Sequence, residues 1–278
     1  MVTIAIFGAG GNMGTRASQA LVGDPEYRVL HVEPGPAGRT RLDERGITPV
    51  AREEAIAAAD TVLLAVPDHL INGIAAELVP TLRPGTLVIC LDPAAPYHGR
   101  LPARSDIAYF VTHPGHPPIF SDEATLDARR DYFGSGLAKQ AIVSALMQGA
   151  ESDYAKGEAI SRKLFGPILR SHRLTVEQMA LLEPALAETL AATCLTVIRE
   201  GLDEVVRRGV PAEAARDFLL GHLNIELAIV FNETGWKFSQ GCQRAIDEAK
   251  PLLFRPDWKK IFEPEQLQAS VARIAGDV

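Results

Sequence analysis

Two histidines in a proline-stiffened loop are the sharpest chemical feature of this sequence. The run Thr112-His113-Pro114-Gly115-His116-Pro117-Pro118 sets two imidazoles among three prolines. Proline fixes φ, so such a loop presents both rings with little loss of entropy. An imidazole there can take a hydroxyl proton as a general base, or bind a metal through a neutral ring nitrogen. Either ring could instead do no more than hydrogen-bond its own loop, and both readings stand at this point. A second feature is an acid in apolar surroundings. Glu183 has Met179, Ala180, Leu186 and Ala187 three and four residues away, and Pro184 follows it directly. A proline within a helix removes a backbone hydrogen bond and disfavours helical geometry at the residue before it, so a kink is expected at Glu183. A semi-buried carboxylate at a kink must be paired, protonated or metal-bound. Glu188 stands five residues on, about 140° round a regular helix, and is not expected to share a site with Glu183 without distortion. His31, His69, His98, His172 and His222 lack comparable context and are read as structural.

These groups need a frame. From residue 1 to about 172, short β-rich runs alternate with helical stretches. Strands are expected at 3–7, 28–32, 61–65, 87–91, 108–112, 141–147 and 168–171, with helices such as 12–21, 52–58 and 69–78 between them. Alternation with wholly apolar strands is the pattern of a mostly parallel, doubly wound α/β sheet of the Rossmann type. The first strand runs into Gly8-Ala9-Gly10-Gly11-Asn12-Met13-Gly14 and then a helix. Glycines there allow a sharp turn and a close approach of backbone to a pyrophosphate, which the helix N-terminus then receives. The spacing through Gly8, Gly11 and Gly14 is G-x-x-G-x-x-G rather than the simple G-x-G-x-x-G. Glu33, at the end of the second strand and about 20 residues on, is placed to take the adenosine ribose hydroxyls. A carboxylate there repels a 2′-phosphate, which favours NAD over NADP; Arg39 and Arg41 nearby blur that preference. Val66-Pro67-Asp68 closes the next strand, so Pro67 and Asp68 are expected beside the nicotinamide ribose, with Asp92 close by.

After residue 172 the texture changes. Thr175-Val176-Glu177-Gln178 matches a capping box, nothing reads as strand from there to Arg208, and Gly209 would stop the helix. Unbroken, that helix would run about 50 Å. Helical patterns continue over 211–232 and 240–254. The sequence therefore reads as a dinucleotide-binding domain at 1–172 and an all-α domain at 173–278. Net charge is −7, and no basic stripe suggests nucleic acid. No uninterrupted apolar run reaches the ~18 residues of a membrane span, so no membrane partner is expected. Three cysteines, Cys90, Cys194 and Cys242, show no metal-ligand spacing and fit free thiols in a reducing cytoplasm. No cationic flank or cleavage site marks a signal peptide at the start.

The glycine turn, Ala65-Val66-Pro67-Asp68 and the long helix resemble the 6-phosphogluconate dehydrogenase-like superfamily of β-hydroxy acid dehydrogenases. His113-Pro114 after a strand resembles the His-Pro step of prephenate dehydrogenases. The Lys-x-x-x-Asn of the simple hydroxy acid dehydrogenases is missing from the long helix, where Glu183 and Glu188 stand. A closer resemblance, running nearly end to end, is to the D-apionate oxidoisomerase family of bacterial apiose catabolism. It is carried by the Thr112–Pro118 run with Ile119-Phe120, by Val176-Glu177-Gln178-Met179-Ala180-Leu181-Leu182-Glu183-Pro184, and by Asp257-Trp258-Lys259-Lys260. That resemblance implies oxidation of the C2 hydroxyl of D-apionate by NAD. An α-ketol migration of a hydroxymethyl group then follows, giving 3-oxo-isoapionate. It also implies a divalent ion, Zn²⁺ or similar, chelating both oxygens, with His113 and Glu183 as ligands or acid/base groups and His116 as a weaker third. Relatives dimerise through the helical domain, where Lys250, Lys259 or Lys260 could meet the carboxylate of the sugar acid. The rivals are a simple NAD(P)-dependent β-hydroxy acid dehydrogenase acting on another small sugar acid, and a non-catalytic NAD sensor.

Overall fold

The computed structural model describes residues 1–276. In chain order the elements are β1 (Val2–Phe7), α1 (Asn12–Leu21), β2 (Tyr27–Val32), α2 (Pro36–Asp43), α3 (Arg52–Ala58), β3 (Thr61–Leu64), α4 (Asp68–Leu78), β4 (Leu87–Cys90), α5 (Ala94–His98), β5 (Ala108–Pro114), α6 (Leu126–Arg129), β6 (Gln140–Gln148), α7 (Glu151–Leu164) and β7 (Ile168–Arg173). There follow α8 (Val176–Ala180), a π-helical stretch (Leu181–Ala191), α9 (Ala192–Arg207), α10 (Ala212–Val230), α11 (Gln240–Leu253) and α12 (Pro264–Ile274). Each expected strand is present, and all seven join one sheet in the order β2-β1-β3-β4-β5-β6-β7. Every pairing is parallel except β5 with β6.

Strand residues alternate between the two faces of a sheet, so a strand that is apolar throughout must be covered on both. Ala5, Phe7, Val62, Leu64, Val88 and Cys90 pack into one layer, while Ile4, Ile6, Leu63, Leu87 and Ile89 pack into the other. The second layer also takes Ala17 and Leu21 of α1 and Tyr154 and Ile160 of α7. This is the doubly wound α/β sheet expected. The chain leaves β1 toward β2 on one side and reaches β3 on the other. The carboxyl ends of β1 and β3 therefore flank a topological switch point, where such sheets bind ligands.

The domain boundary differs from the expected one near 172. One compact unit comprises Met1–Pro184 and the chain from Leu267 on; the other is Ala185–Gln266. Two packing facts set this. β7 is hydrogen-bonded to β6, and Met179 of α8 is buried in the sheet layer, so the chain stays with the first unit past residue 173. Later, Leu267 and Val271 of α12 are buried and Gln268 Nε2 lies 3.0 Å from His98 Nδ1, which returns the chain's end to that unit.

Thr175 caps α8 as the sequence implies: its hydroxyl accepts the Gln178 N–H, and the Gln178 side chain accepts the Thr175 N–H. The kink expected at Glu183 takes the form of the π-helical stretch, with Pro184 inside it. Proline has no N–H to give and crowds the preceding turn, and widening the turn relieves both. The continuous helix Val176–Arg207 is 32 residues long and holds an 18-residue window of mean hydropathy 1.5. By length and composition alone it is apolar enough to cross a bilayer, although no uninterrupted apolar run in the sequence reaches 18 residues. Glu183 and Glu188 break the apolar run in this helix but do not offset its alanines and leucines in the average. In the second unit α9 and α11 bury no residue and α10 only Ala215, leaving Leu195, Phe218, Leu220 and Leu252 exposed.

Candidate active site

The glycine turn is built by close backbone approach. Gly8 adopts φ +81°, a left-handed conformation that glycine enters without penalty, and its N–H donates to the Val32 carbonyl at 3.0 Å. A Cβ there would collide with the Ala65 carbonyl oxygen, and one on Gly14 would collide with the Gly8 carbonyl oxygen. Gly10 is pressed in the same way against Gly38. The turn delivers the chain to α1, whose N-cap is Gly11 and whose first turn, Asn12 and Met13 included, carries no acid. Backbone amides and the positive dipole end thus face outward for an anion. Glu33 follows β2 directly, and its carboxylate accepts the N–H groups of Gly10 and Gly35, each at 2.9 Å. Arg39 and Arg41 are anchored through Nε to the carbonyls of Glu33 and Gly10, at 2.9 and 2.5 Å.

Because β1, β3, β4 and β5 run parallel, their carboxyl ends share one edge of the sheet. There they enclose a cavity of about 390 Å³. Gly11–Met13 form one side of it and Val66, Pro67 and Asp68 another; Asp92, His113 and His116 border it together with Phe133. Leu64, Ile71 and Leu91 give it an apolar floor. Burial holds the Asp68 carboxyl above the usual range. The cofactor turn and the histidine loop, distant in sequence, thus open on one space.

At that space three ligand-type atoms converge. His113 Nε2 lies 3.9 Å from Asp92 Oδ2 and 3.8 Å from Glu183 Oε1. Among the described residues, Asp92, His113 and Glu183 are the one group of three whose ligand atoms lie within 4.8 Å of one another. Asp92 and His113 are held from behind. Asp92 Oδ1 accepts the Ala94 N–H at 2.7 Å. His113 Nδ1 lies 2.9 Å from the Pro114 carbonyl, which can only accept; Nδ1 is therefore the protonated nitrogen, and Nε2 turns its lone pair toward the carboxylates. Burial above all, against the raising effect of the Pro114 hydrogen bond and with a smaller lowering from His116, pushes the imidazole down to about 4. At neutral pH the ring is neutral, the form a metal requires.

One nitrogen and two carboxylates suit a divalent ion of hard to borderline character. In a loaded tetrahedral or octahedral site with bonds near 2.1 Å, neighbouring ligand atoms would stand roughly 3–3.5 Å apart. The observed 3.8 and 3.9 Å need only a small inward movement, so the donor set fits. The third donor is not the one expected. Asp92 occupies that place, while His116 turns its Nδ1 to the Phe133 carbonyl at 3.0 Å, its ring centroid 6.3 Å from that of His113. His116 has the left-handed φ of +56°, which swings the ring off the β5 line. The signal for Asp92 was its place at a strand end beside the dinucleotide; nothing local marked it as a ligand. Glu188 is exposed and is not in the group of three.

A pH dependence follows. The folded-state value of His113, about 4, lies below its ordinary 6.5, so the unfolded chain binds the extra proton first. This contribution to stability is complete above about pH 6.5 and is lost as pH falls toward 4. Urea midpoints of the metal-free protein should decline across that window, and His113→Asn should flatten the decline. Identical slopes for both proteins would exclude His113 as its source.

The chain is similar to known proteins. Residues 121–275 match the family model described as phosphogluconate dehydrogenase (decarboxylating) C-term, and residues 3–94 match that for NADP oxidoreductase, coenzyme F420-dependent. The chain is 56% identical to a D-apionate oxidoisomerase of Cupriavidus necator over 98% of both chains. It is 52% identical to one of Rhizobium rhizogenes, over 99% of this chain and 100% of that one. A crystal structure of a semialdehyde dehydrogenase NAD-binding protein from Cupriavidus necator, in complex with calcium and NAD, superposes with a TM-score of 0.95 at 56% identity, over 99% of each chain.

Proposed function

Because the chain belongs to the D-apionate oxidoisomerase family, we propose that it is an NAD-dependent oxidoreductase that converts D-apionate to 3-oxo-isoapionate. The observation that carries this reading is the convergence of Asp92, His113 and Glu183, two of which, Asp92 and His113, line the same cavity as Gly11–Met13 of the glycine turn. NAD supplies the hydride acceptor for C2, and a divalent ion, Zn²⁺ or a similar one, supplies Lewis acidity toward neighbouring oxygens.

The residues divide the remaining work. Gly8, Gly10, Gly11 and Gly14 keep the turn low, so that the amides at Asn12 and Met13 can receive the pyrophosphate. Glu33 takes the adenosine ribose hydroxyls and repels a 2′-phosphate. Pro67 and Asp68 border the nicotinamide ribose. Asp92, His113 and Glu183 would hold the ion. His116, whose Nδ1 donates to the Phe133 carbonyl, has its lone pair at Nε2 and takes the proton of the C2 hydroxyl as hydride leaves C2. In the second step the C3 hydroxyl is deprotonated and the hydroxymethyl carbon moves with its bonding pair from C3 to C2. C3 becomes the ketone and C2 recovers a hydroxyl. The apolar floor of Leu64, Ile71 and Leu91 keeps water from the 2-oxo acid.

No lysine or arginine lines this cavity among the described residues. The substrate carboxylate then calls on a cation from elsewhere, and Lys250, Lys259 and Lys260 of the helical unit are the candidates. The exposed apolar residues of α9–α11 support a homodimer formed through that unit. The three free cysteines accord with a cytoplasmic protein.

The test follows NADH absorbance with branched and linear sugar acids, with and without chelator, and identifies products by ¹³C NMR. D-Apionate should give the rearranged skeleton, and chelation should lower turnover at least about tenfold. An unrearranged keto acid would instead identify a plain β-hydroxy acid dehydrogenase.

A further inference from the structure

Behind His116 lies a second layer of structure that the reaction as written does not use. The segment after α6 folds around one carboxylate. Asp131 Oδ1 accepts the N–H groups of Gly134 at 3.1 Å and Ser135 at 2.7 Å, and Oδ2 those of Leu137 at 3.0 Å and Ala138 at 3.1 Å. Burial works against the charge, but the bonds from Ser135, Ala138 and Leu137 outweigh it and hold the carboxyl below its ordinary range. Two glycines in left-handed conformation, Gly134 and Gly136, let the chain close this tightly, and a Cβ on Gly134 would meet the buried Gln140 side chain.

The fastened turn presents two groups to the active-site cavity. The Phe133 carbonyl takes the His116 Nδ1 hydrogen, and the Phe133 ring sits 5.4 Å from the imidazole, centroid to centroid. Arg16 of α1 braces the same turn from the cofactor side. Its guanidinium donates to the Gly134 carbonyl and lies 5.2 and 5.0 Å from the rings of Phe133 and Phe165. His116 meanwhile holds a φ of +56°, which costs a residue with a Cβ about 1 kcal/mol or more. A strained backbone persists where its surroundings over-determine it. Here those surroundings are the Phe133 carbonyl and ring.

We propose that Asp131 is a positioning residue for His116: by fastening four backbone N–H groups it fixes the carbonyl that sets the tautomer and direction of that imidazole. The proposal rests on His116 acting as the base for the C2 hydroxyl. Asp131 itself is not among the residues that line the cavity.

The experiment compares wild type, Asp131→Ala, Asp131→Asn, His116→Gln and the double variant His116→Gln/Asp131→Ala in the holoenzyme. It reads kcat, KM for D-apionate, the dissociation constant for NAD, and the imidazole ¹⁵N shifts of His116. Asp131→Ala should lower kcat about tenfold to a hundredfold. NAD affinity should stay within about twofold, and the His116 shifts should move from the Nδ1–H pattern toward a tautomer mixture. Asp131→Asn should fall between, and it gives the same reading if the alanine variant does not fold. The double variant should be no slower than His116→Gln alone, because the loss runs through one group. Unchanged shifts with unchanged kcat in Asp131→Ala overturn the proposal, as does a loss that multiplies in the double variant. If His116→Gln keeps full kcat while Asp131→Ala still moves the ¹⁵N shifts, the base assignment fails and the positioning stands.

Discussion

Glu183→Gln is expected to lower turnover of D-apionate at least about a hundredfold while leaving NAD affinity within about twofold. The change is nearly isosteric, so the wide turn around Pro184 is kept. What is lost is one negative charge and one ligand oxygen facing His113 Nε2, 3.8 Å away. A glutamine carbonyl is a weaker donor to a divalent ion, and one carboxylate with one imidazole cannot replace a three-donor set. NAD affinity is spared because the glycine turn and Glu33 lie on other elements. Metal content after dialysis should fall in parallel with turnover. Glu188→Gln supplies the contrast: it removes the same charge from an exposed position five residues on and should change kcat by no more than about twofold. Equal metal uptake and equal turnover in wild type and Glu183→Gln would remove Glu183 from the site.

Gly14→Ala is expected to weaken NAD binding at least about tenfold and to lower stability by about 1–3 kcal/mol. Its Cβ would overlap the Gly8 carbonyl oxygen and approach Ala9 Cα to 2.6 Å. Both are backbone atoms, so no rotamer relieves the clash, and α1 must back away from β1. That movement spoils the approach of the helix N-terminus to a pyrophosphate. Gly73→Ala in α4 is the control, since an added Cβ there has nothing within 4 Å and the residue lies outside the glycine turn. Calorimetric titration with NAD and urea denaturation of both variants decide the matter. If Gly14→Ala binds NAD like wild type, the close packing of α1 on the turn has no bearing on the cofactor.

How much of this was legible beforehand depended on the range of the forces concerned. The strands read true because β3 and β4, buried at every position, must be continuous apolar runs. The capping box at Thr175 and the disturbance at Pro184 follow from groups within a turn of each other. The domain boundary did not read true. The sequence changes texture after β7, but α8 still packs on the sheet and α12 returns to the first unit, with Gln268 beside His98 of α5. Neither packing partner is a sequence neighbour. His116 was read as a weaker third ligand or acid/base group beside His113 and Glu183. Its left-handed φ and the Phe133 carbonyl direct it elsewhere, and both depend on a turn whose own order comes from Asp131.

Periodicity, glycine spacing and proline placement by themselves determined the α/β sheet and the glycine turn, and singled out Glu33, His113 and Glu183 as candidates, because each of these signals acts through near neighbours along the chain. Only the tertiary structure decided that Asp92 completes the set with His113 and Glu183 and that His116 stands apart. The reason is topological: parallel strands deliver their carboxyl ends to one edge whatever their order in the chain, and a helix from beyond the sheet brings the last carboxylate to them.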